Sequence, residues 1–541
     1  MKKLVSRFMA VLMAMTMILS MSMTAFAVEA PKGTLTVNNT VAGKTLDLYQ
    51  IFSATKSGDN VAYTLNSAYE GFFQSKITDA STLTDEALSE KAYAYVKDQV
   101  GTDGSNGAAF AKDIMGWILG HTTTVETTHK TAPTTDSSTV INNLDYGYYV
   151  VYPLGATDTS KEPGDTTVKS VASLVSVTGT DATVNMKSNY PTVVKKVNDK
   201  NADDVNIGDT VTYTLTSKVP DMTGYTSYVF NFKDTLAKGL TFGSITSVKI
   251  GDVTINADTD GTKAENTYTL TTKNNEDGTT EIKIEMNKFL ASNKDNTGKE
   301  IKVTYTATLN KDAVTGFDPN TNKATVEYSN NPGTDDKGES EPSKVDVHTF
   351  DFTIFKYYLK GADKTGLANA EFELYKANKA GDAADTNAKI NIVKVKEGEY
   401  RQATSEEAAA GGFKSDVIVS GTDGKVLVKG LDAGTYYLRE TKAPAGYNKL
   451  LSDIKVEIKA TYGENGKLAS YKVDYTYNGT TTSGTAITSK DNSPEVAVEN
   501  KTGAQLPSTG SKGALMVTLA GIVLFGALTA SKAFGKKKAK N

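Results

Sequence analysis

Thr210-Val-Thr-Tyr-Thr-Leu-Thr216 and Ile301-Lys-Val-Thr-Tyr-Thr-Ala-Thr308 alternate side chains with period two, and most of residues 31–500 repeats this pattern between Gly, Asn and Asp turns. Alternation of β-branched and aromatic residues at that period gives strands with one buried and one solvated face, as in antiparallel sheets. A parallel sheet would need helical crossovers between its strands, and almost none of the chain has helical spacing. The expected class is therefore all-β. The exception is residues 84–119, where Leu88, Ala92, Tyr95 and Gln99, then Phe110, Ile114, Trp117 and Ile118, recur at helical intervals and predict two helices. Their aromatic positions, including the single Trp, are read as core.

At 541 residues the chain is long enough for three or four cores. We divide it into 31–188, 190–346 and 347–500, tandem immunoglobulin-like β-sandwich domains of which the first carries the added helices. There is no Cys, which excludes disulfides, thiolate nucleophiles and cysteine-bound zinc. Three histidines, none at i, i+4 spacing, argue against helical zinc sites and histidine-based catalysis. No P-loop or Gly-x-Gly-x-x-Gly turn is present, and Asn256-Ala257-Asp258-Thr259-Asp260 lacks the spacing of a calcium loop and is read as a turn. No cofactor or metal is expected.

The two ends carry basic charge and no acid, so the acids outnumber the bases in the middle and binding of nucleic acid through the body is disfavoured. Residues 1–27 combine Lys2, Lys3 and Arg7 with an apolar run over 8–23 and Ala25-Phe26-Ala27, a secretory signal peptide cleaved after Ala27. In residues 501–541, Leu506-Pro507-Ser508-Thr509-Gly510 precedes an apolar transmembrane run over 513–530 and a lysine-rich tail. This order resembles the cell-wall sorting signal of Gram-positive surface proteins. The resemblance implies that a sortase cuts between Thr509 and Gly510 and passes the Thr509 carbonyl to an amine.

Leu144-Asp145-Tyr146-Gly147-Tyr148-Tyr149-Val150-Val151 echoes Leu431-Asp432-Ala433-Gly434-Thr435-Tyr436-Tyr437-Leu438-Arg439-Glu440 with one inserted residue, so that Val151-Tyr152 stands where the later copy has Arg439-Glu440. In the third domain Phe350, Phe352, Ile354 and Lys356 share a strand parity, which places an ammonium among apolar side chains, where it needs a partner or loses its proton. Val496, Val498 and Asn500 share another inward parity. The stretch Tyr436 to Tyr447, with its Tyr-x-Leu-x-Glu-Thr-x-Ala-Pro-x-Gly-Tyr pattern, resembles the collagen-adhesin B-type module of sortase-assembled backbone pilins. That resemblance implies Glu440 as a catalytic acid, Lys356 as nucleophile and Asn500 as acceptor of an internal isopeptide bond.

In Pro191-Thr192-Val193-Val194-Lys195-Lys196-Val197 the alternation turns Lys195 inward and Lys196 outward, and Asn322, Ala324, Val326 and Tyr328 share an inward parity. With Phe232-Lys233-Asp234-Thr235-Leu236, this part is similar to the middle domain of backbone pilins. The similarity implies a second link, Lys195 to Asn322 with Asp234 as its acid. The first domain has no such trio and no link is expected there. The family's Tyr-Pro-Lys assembly motif is broken at Tyr190-Pro191-Thr192, leaving Lys196 and Lys187 as candidate assembly lysines.

The family reading implies the shaft subunit of a covalent surface pilus, anchored to the Gram-positive cell wall and supporting adhesion. Its expected partners are pilus-specific and housekeeping sortases, further copies of the chain, tip and base pilins, peptidoglycan, and a host or matrix ligand. Apart from autocatalytic formation of its own links it is not expected to be an enzyme. A monomeric wall-anchored adhesin is the alternative. A secreted glycan hydrolase is disfavoured, since no aromatic-flanked carboxylate pair stands out and one Trp is poor provision for stacking sugars.

Overall fold

The computed structural model describes residues 31–101, 106–157, 170–186, 189–331, 334–490 and 492–503. Its strands form six sheets, arranged along the chain as three facing pairs, each closed over its own apolar core.

In the first pair, Lys32–Asn38 lies between Ser138–Asp145 and Ala182–Asn185, facing a sheet built on Leu46–Ser57 and Gly147–Pro153. Leu35, Val37, Leu48, Tyr149 and Val151 fill the space between them. The outer face of the second sheet carries Ile51, Phe52, Val150 and Tyr152, and the helices Glu70–Lys76, Asp85–Val100 and Gly107–Gly120 cover it. Thr84 caps the second helix by accepting the Ala87 N–H, with Asp85 and Glu86 in the first turn. Its buried stripe is Leu88, Ser89, Ala92 and Val96, which corrects the predicted one: Tyr95 is only half-buried and Gln99 is exposed. The Ser89 hydroxyl accepts the Leu65 N–H at 2.8 Å, a tertiary contact beside the buried 88/92/96 line. A third, shorter helix, Glu70–Lys76, was not foreseen.

The repeated motif has the same place in two pairs of sheets. Gly147–Pro153 and Gly434–Lys442 are both flanked by antiparallel neighbours on either side. Tyr149 donates to the Asp145 carbonyl at 2.7 Å, and Tyr436 donates to the Asp432 carbonyl at 3.1 Å, each four residues back. The copies therefore align without the expected inserted residue, and the counterpart of Glu440 is Pro153.

In the second pair, Val194–Val197 is the edge strand beside Thr210–Lys218, and Glu300–Leu309 follows. The facing sheet carries Phe230–Leu236 next to Asn320–Ser329. In the third pair, Phe350–Lys360 lies between Lys425–Leu431 and the last strand, Glu495–Glu499, and Gly434–Lys442 belongs to the opposite sheet. The last strand runs parallel to Phe350–Lys360, with Ile354 opposite Val496 and Lys356 opposite Val498.

Candidate functional site: two buried amine–amide–acid clusters

Lys356 sits on the strand Phe350–Lys360 among Phe352, Ile354 and Val498, and is fully buried. Parallel pairing with the last strand delivers Asn500 to the same point, where its N–H donates to the Tyr357 carbonyl at 2.9 Å. Glu440 enters from the facing sheet. Its Oε1 lies 2.9 Å from Lys356 Nζ and accepts from Asn500 Nδ2 at 3.2 Å, while Oε2 accepts the Leu450 N–H at 2.7 Å. Lys356 Nζ also donates to Asn500 Oδ1. Burial pushes the Lys356 pKa down, and Glu440 opposes it. One carboxylate oxygen thus bridges amine and amide, and the amine lies against the carboxamide oxygen.

The second cluster spans two sheets. Lys195 projects from the edge strand, opposite Leu215, and its N–H donates to Ser343 Oγ at 2.9 Å. Asp234 and Asn322 face it from neighbouring strands of the other sheet. Lys195 Nζ donates to Asp234 Oδ2, and burial lowers the lysine pKa to about 8 against the pull of that carboxylate. The rings of Tyr213 and Tyr305 lie 4.9 and 5.1 Å from the amine.

Asn322 reaches this group through Tyr305, which sequence reasoning did not single out: Asn322 Nδ2 donates to the Tyr305 hydroxyl at 2.7 Å. The same hydroxyl accepts from Lys195 Nζ at 2.8 Å and donates to Asp234 Oδ2 at 2.7 Å. Tyr305 has the inward parity of Ile301, Val303 and Ala307, so its sequence context is that of a core residue. The only available signal was a phenol in an apolar row, which needs a polar partner when buried.

Lys196 is half-buried on the opposite side of the edge strand and donates to Asn201 Oδ1 at 2.5 Å. Lys187, the segment Leu506 to Gly510, residues 1–27 and the run 513–530 lie outside the described residues. Among the described residues of 31–186 no lysine is buried. Asp258 accepts the Gly261 N–H and Asp260 the Thr262 N–H, the geometry of turns.

Residues 207–332 match the model of the Gram-positive pilin backbone subunit 2, Cna-B-like domain, and residues 356–470 match that of the SpaA prealbumin-like fold domain. Over these two segments the chain is similar to Gram-positive backbone pilins. The chain is 26% identical over 334 residues to the trypsin-resistant surface T6 protein of Streptococcus pyogenes serotype M6, covering 57% of the chain and 52% of the relative. It is 28% identical over 279 residues to the fimbrial subunit type 2 of Actinomyces naeslundii, covering 49% and 50%. The chain spans about half the length of the curated relatives it matches. Among solved structures it is similar to the T6 backbone pilin, at 18% identity and a TM-score of 0.47 over 89% of this chain and all of the other. It is also similar to the major pilin SpaA of Corynebacterium diphtheriae, at 15% identity and a TM-score of 0.44 over 86% and 98%.

Proposed function

We propose that this chain is the structural shaft subunit of a covalent cell-surface pilus. A sortase would join Thr509 of one copy to a lysine of the next, with Lys196 and Lys187 as the candidate acceptors. Internal bonds from Lys356 to Asn500 and from Lys195 to Asn322 would stiffen each copy. The reading rests chiefly on one observation: the second and third units each close a buried lysine, a carboxamide and a carboxyl group into one hydrogen-bonded cluster. Desolvation favours the neutral amine, which is the nucleophilic form, and a carboxyl beside the amide can carry protons as ammonia leaves. An unreacted buried pair would be a weak source of stability, because desolvation offsets most of the Coulomb attraction. Wall anchoring through the sorting signal, and the tip, base and host partners, belong to the same proposal.

The test is an immunoblot of enzymatically released wall material boiled in detergent, with intact mass measured on the purified chain. The expected results are a detergent-resistant ladder and a mass below that of the sequence by about 17 Da for each ammonia lost. A single wall-linked species would favour the monomeric adhesin, and an unshifted mass would sink the internal links.

A further inference from the structure

We propose that Tyr305 is a catalytic proton carrier in the Lys195–Asn322 reaction, a role that the third unit does not need. The inference rests on the cross-link reading above and adds a residue to it. In the third unit the acid is a glutamate, and its Oε1 touches both the amine and the amide nitrogen. In the second unit the acid is an aspartate, one methylene shorter. The hydrogen-bond partners of Asp234 Oδ2 are Lys195 and Tyr305, and Asp234 Oδ1 has none. The Tyr305 hydroxyl occupies the gap, bonded to all three reacting residues.

The hydrogen-bond partners suit a relay. With the acid ionised, the Tyr305 hydroxyl accepts from Asn322 Nδ2 and points its proton at Asp234. Once Asp234 is protonated both bonds reverse, the carboxyl donating to the phenol and the phenol turning its proton to the amide nitrogen, so that a shift along this line moves one proton from acid to amide nitrogen. The reaction starts from the neutral amine and the protonated Asp234 carboxyl. The Lys195 Nζ lone pair forms a bond to Asn322 Cγ. As the Cγ–Nδ2 bond breaks and its electron pair stays on nitrogen, Tyr305 gives its proton to Nδ2 and takes the proton of Asp234. The carboxylate then removes the surplus proton from Nζ. One amide forms, one ammonia leaves, Tyr305 and Asp234 return to their starting forms, and no outside reactant is consumed. Burial and the neighbouring carboxylate hold the Tyr305 pKa well above that of a free phenol, so the hydroxyl stays protonated between transfers.

The experiment is peptide mapping of the full-length chain by mass spectrometry, following each linked fraction from the end of a translation pulse in wild type, Tyr305→Phe and Asn322→Ala. In Tyr305→Phe the Lys195–Asn322 link should form about 100-fold more slowly, the order expected for loss of a proton-transfer group. The Lys356–Asn500 link of the same molecules should form at the wild-type rate, and the second unit should resist thermolysin as well as in unlinked Asn322→Ala. Wild-type linking in Tyr305→Phe would overturn the proposal. So would a Tyr305→Phe unit cut faster than Asn322→Ala, since the hydroxyl would then serve packing. A wild-type chain linked at Lys356 and unlinked at Lys195 would remove the reaction itself, an outcome distinct from either.

Discussion

Asn500→Ala separates the covalent link from the ion pair beneath it, because it deletes the acceptor and leaves Lys356 and Glu440 facing each other at 2.9 Å. The link would join positions 144 residues apart, and loop-closure entropy for a cross-link of that span is about 5 kcal/mol at 25 °C. Loss of the buried carboxamide and its hydrogen bonds adds about 1 kcal/mol. For a unit of about 150 residues each kcal/mol lowers the melting temperature by about 2–4 °C, so the expected drop is roughly 12–24 °C. Calorimetry of the purified full-length variant should show the transition of the 350–499 unit moving down alone, while the intact mass records one ammonia fewer lost. A transition within about 3 °C of wild type, with that mass change in place, would refute the entropy argument.

Two further expectations concern protonation. In unlinked Asn322→Ala, the folded Lys195 pKa of about 8 lies below the unfolded value of 10.5, so the unfolded chain binds more protons between them and stability should rise with pH across that window. Urea midpoints at pH 7.5 and about 9.5 would measure this, and the rise should vanish when Lys195→Met is added. His348 is buried with both ring nitrogens unpartnered, its ring 6.3 Å from that of Phe350 and nearly parallel to it, and its pKa is pushed below 6.5 chiefly by burial. The unfolded chain therefore protonates first as pH falls below 6.5, and melting temperature should drop between pH 7 and about 5. His348→Phe should flatten that drop; an unchanged pH dependence would show that His348 is not its source.

Much of this architecture was written in local patterning. A period of two is a backbone property, so the inward parity of Lys195 and Lys356 could be read without knowing any partner strand, and both are buried. Glu440 and Asn500 came from a long motif and a parity, and their proximity to Lys356 depends on the parallel pairing of the last strand, which no local rule specifies. Tyr305 was illegible for a different reason. Its row, Ile301, Val303, Tyr305, Ala307, is an ordinary core face, and only the arrival of Asn322 and Asp234 from the other sheet gives the hydroxyl its three partners. Helix faces failed by a fraction of a turn at Tyr95 and Gln99, because spacing alone does not carry the tertiary packing that buries Leu88, Ala92 and Val96 instead. The inserted residue in the repeat was an error of alignment by tyrosine pairs, corrected by where the two phenols donate.

The parallel pairing of the first and last strands of the third unit has a consequence for length. Pulled from its two ends, an unlinked unit could release the residues between Lys356 and Asn500 as extended chain, roughly 490 Å at about 3.4 Å per residue. With the bond in place, the force enters near Phe350, crosses at Lys356 to Asn500 and leaves within a few residues. The rest of the unit becomes a closed loop hanging beside the loaded path. Such a fibre would have almost no hidden length to release: it could bend at its junctions, but it could not lengthen by unfolding this unit.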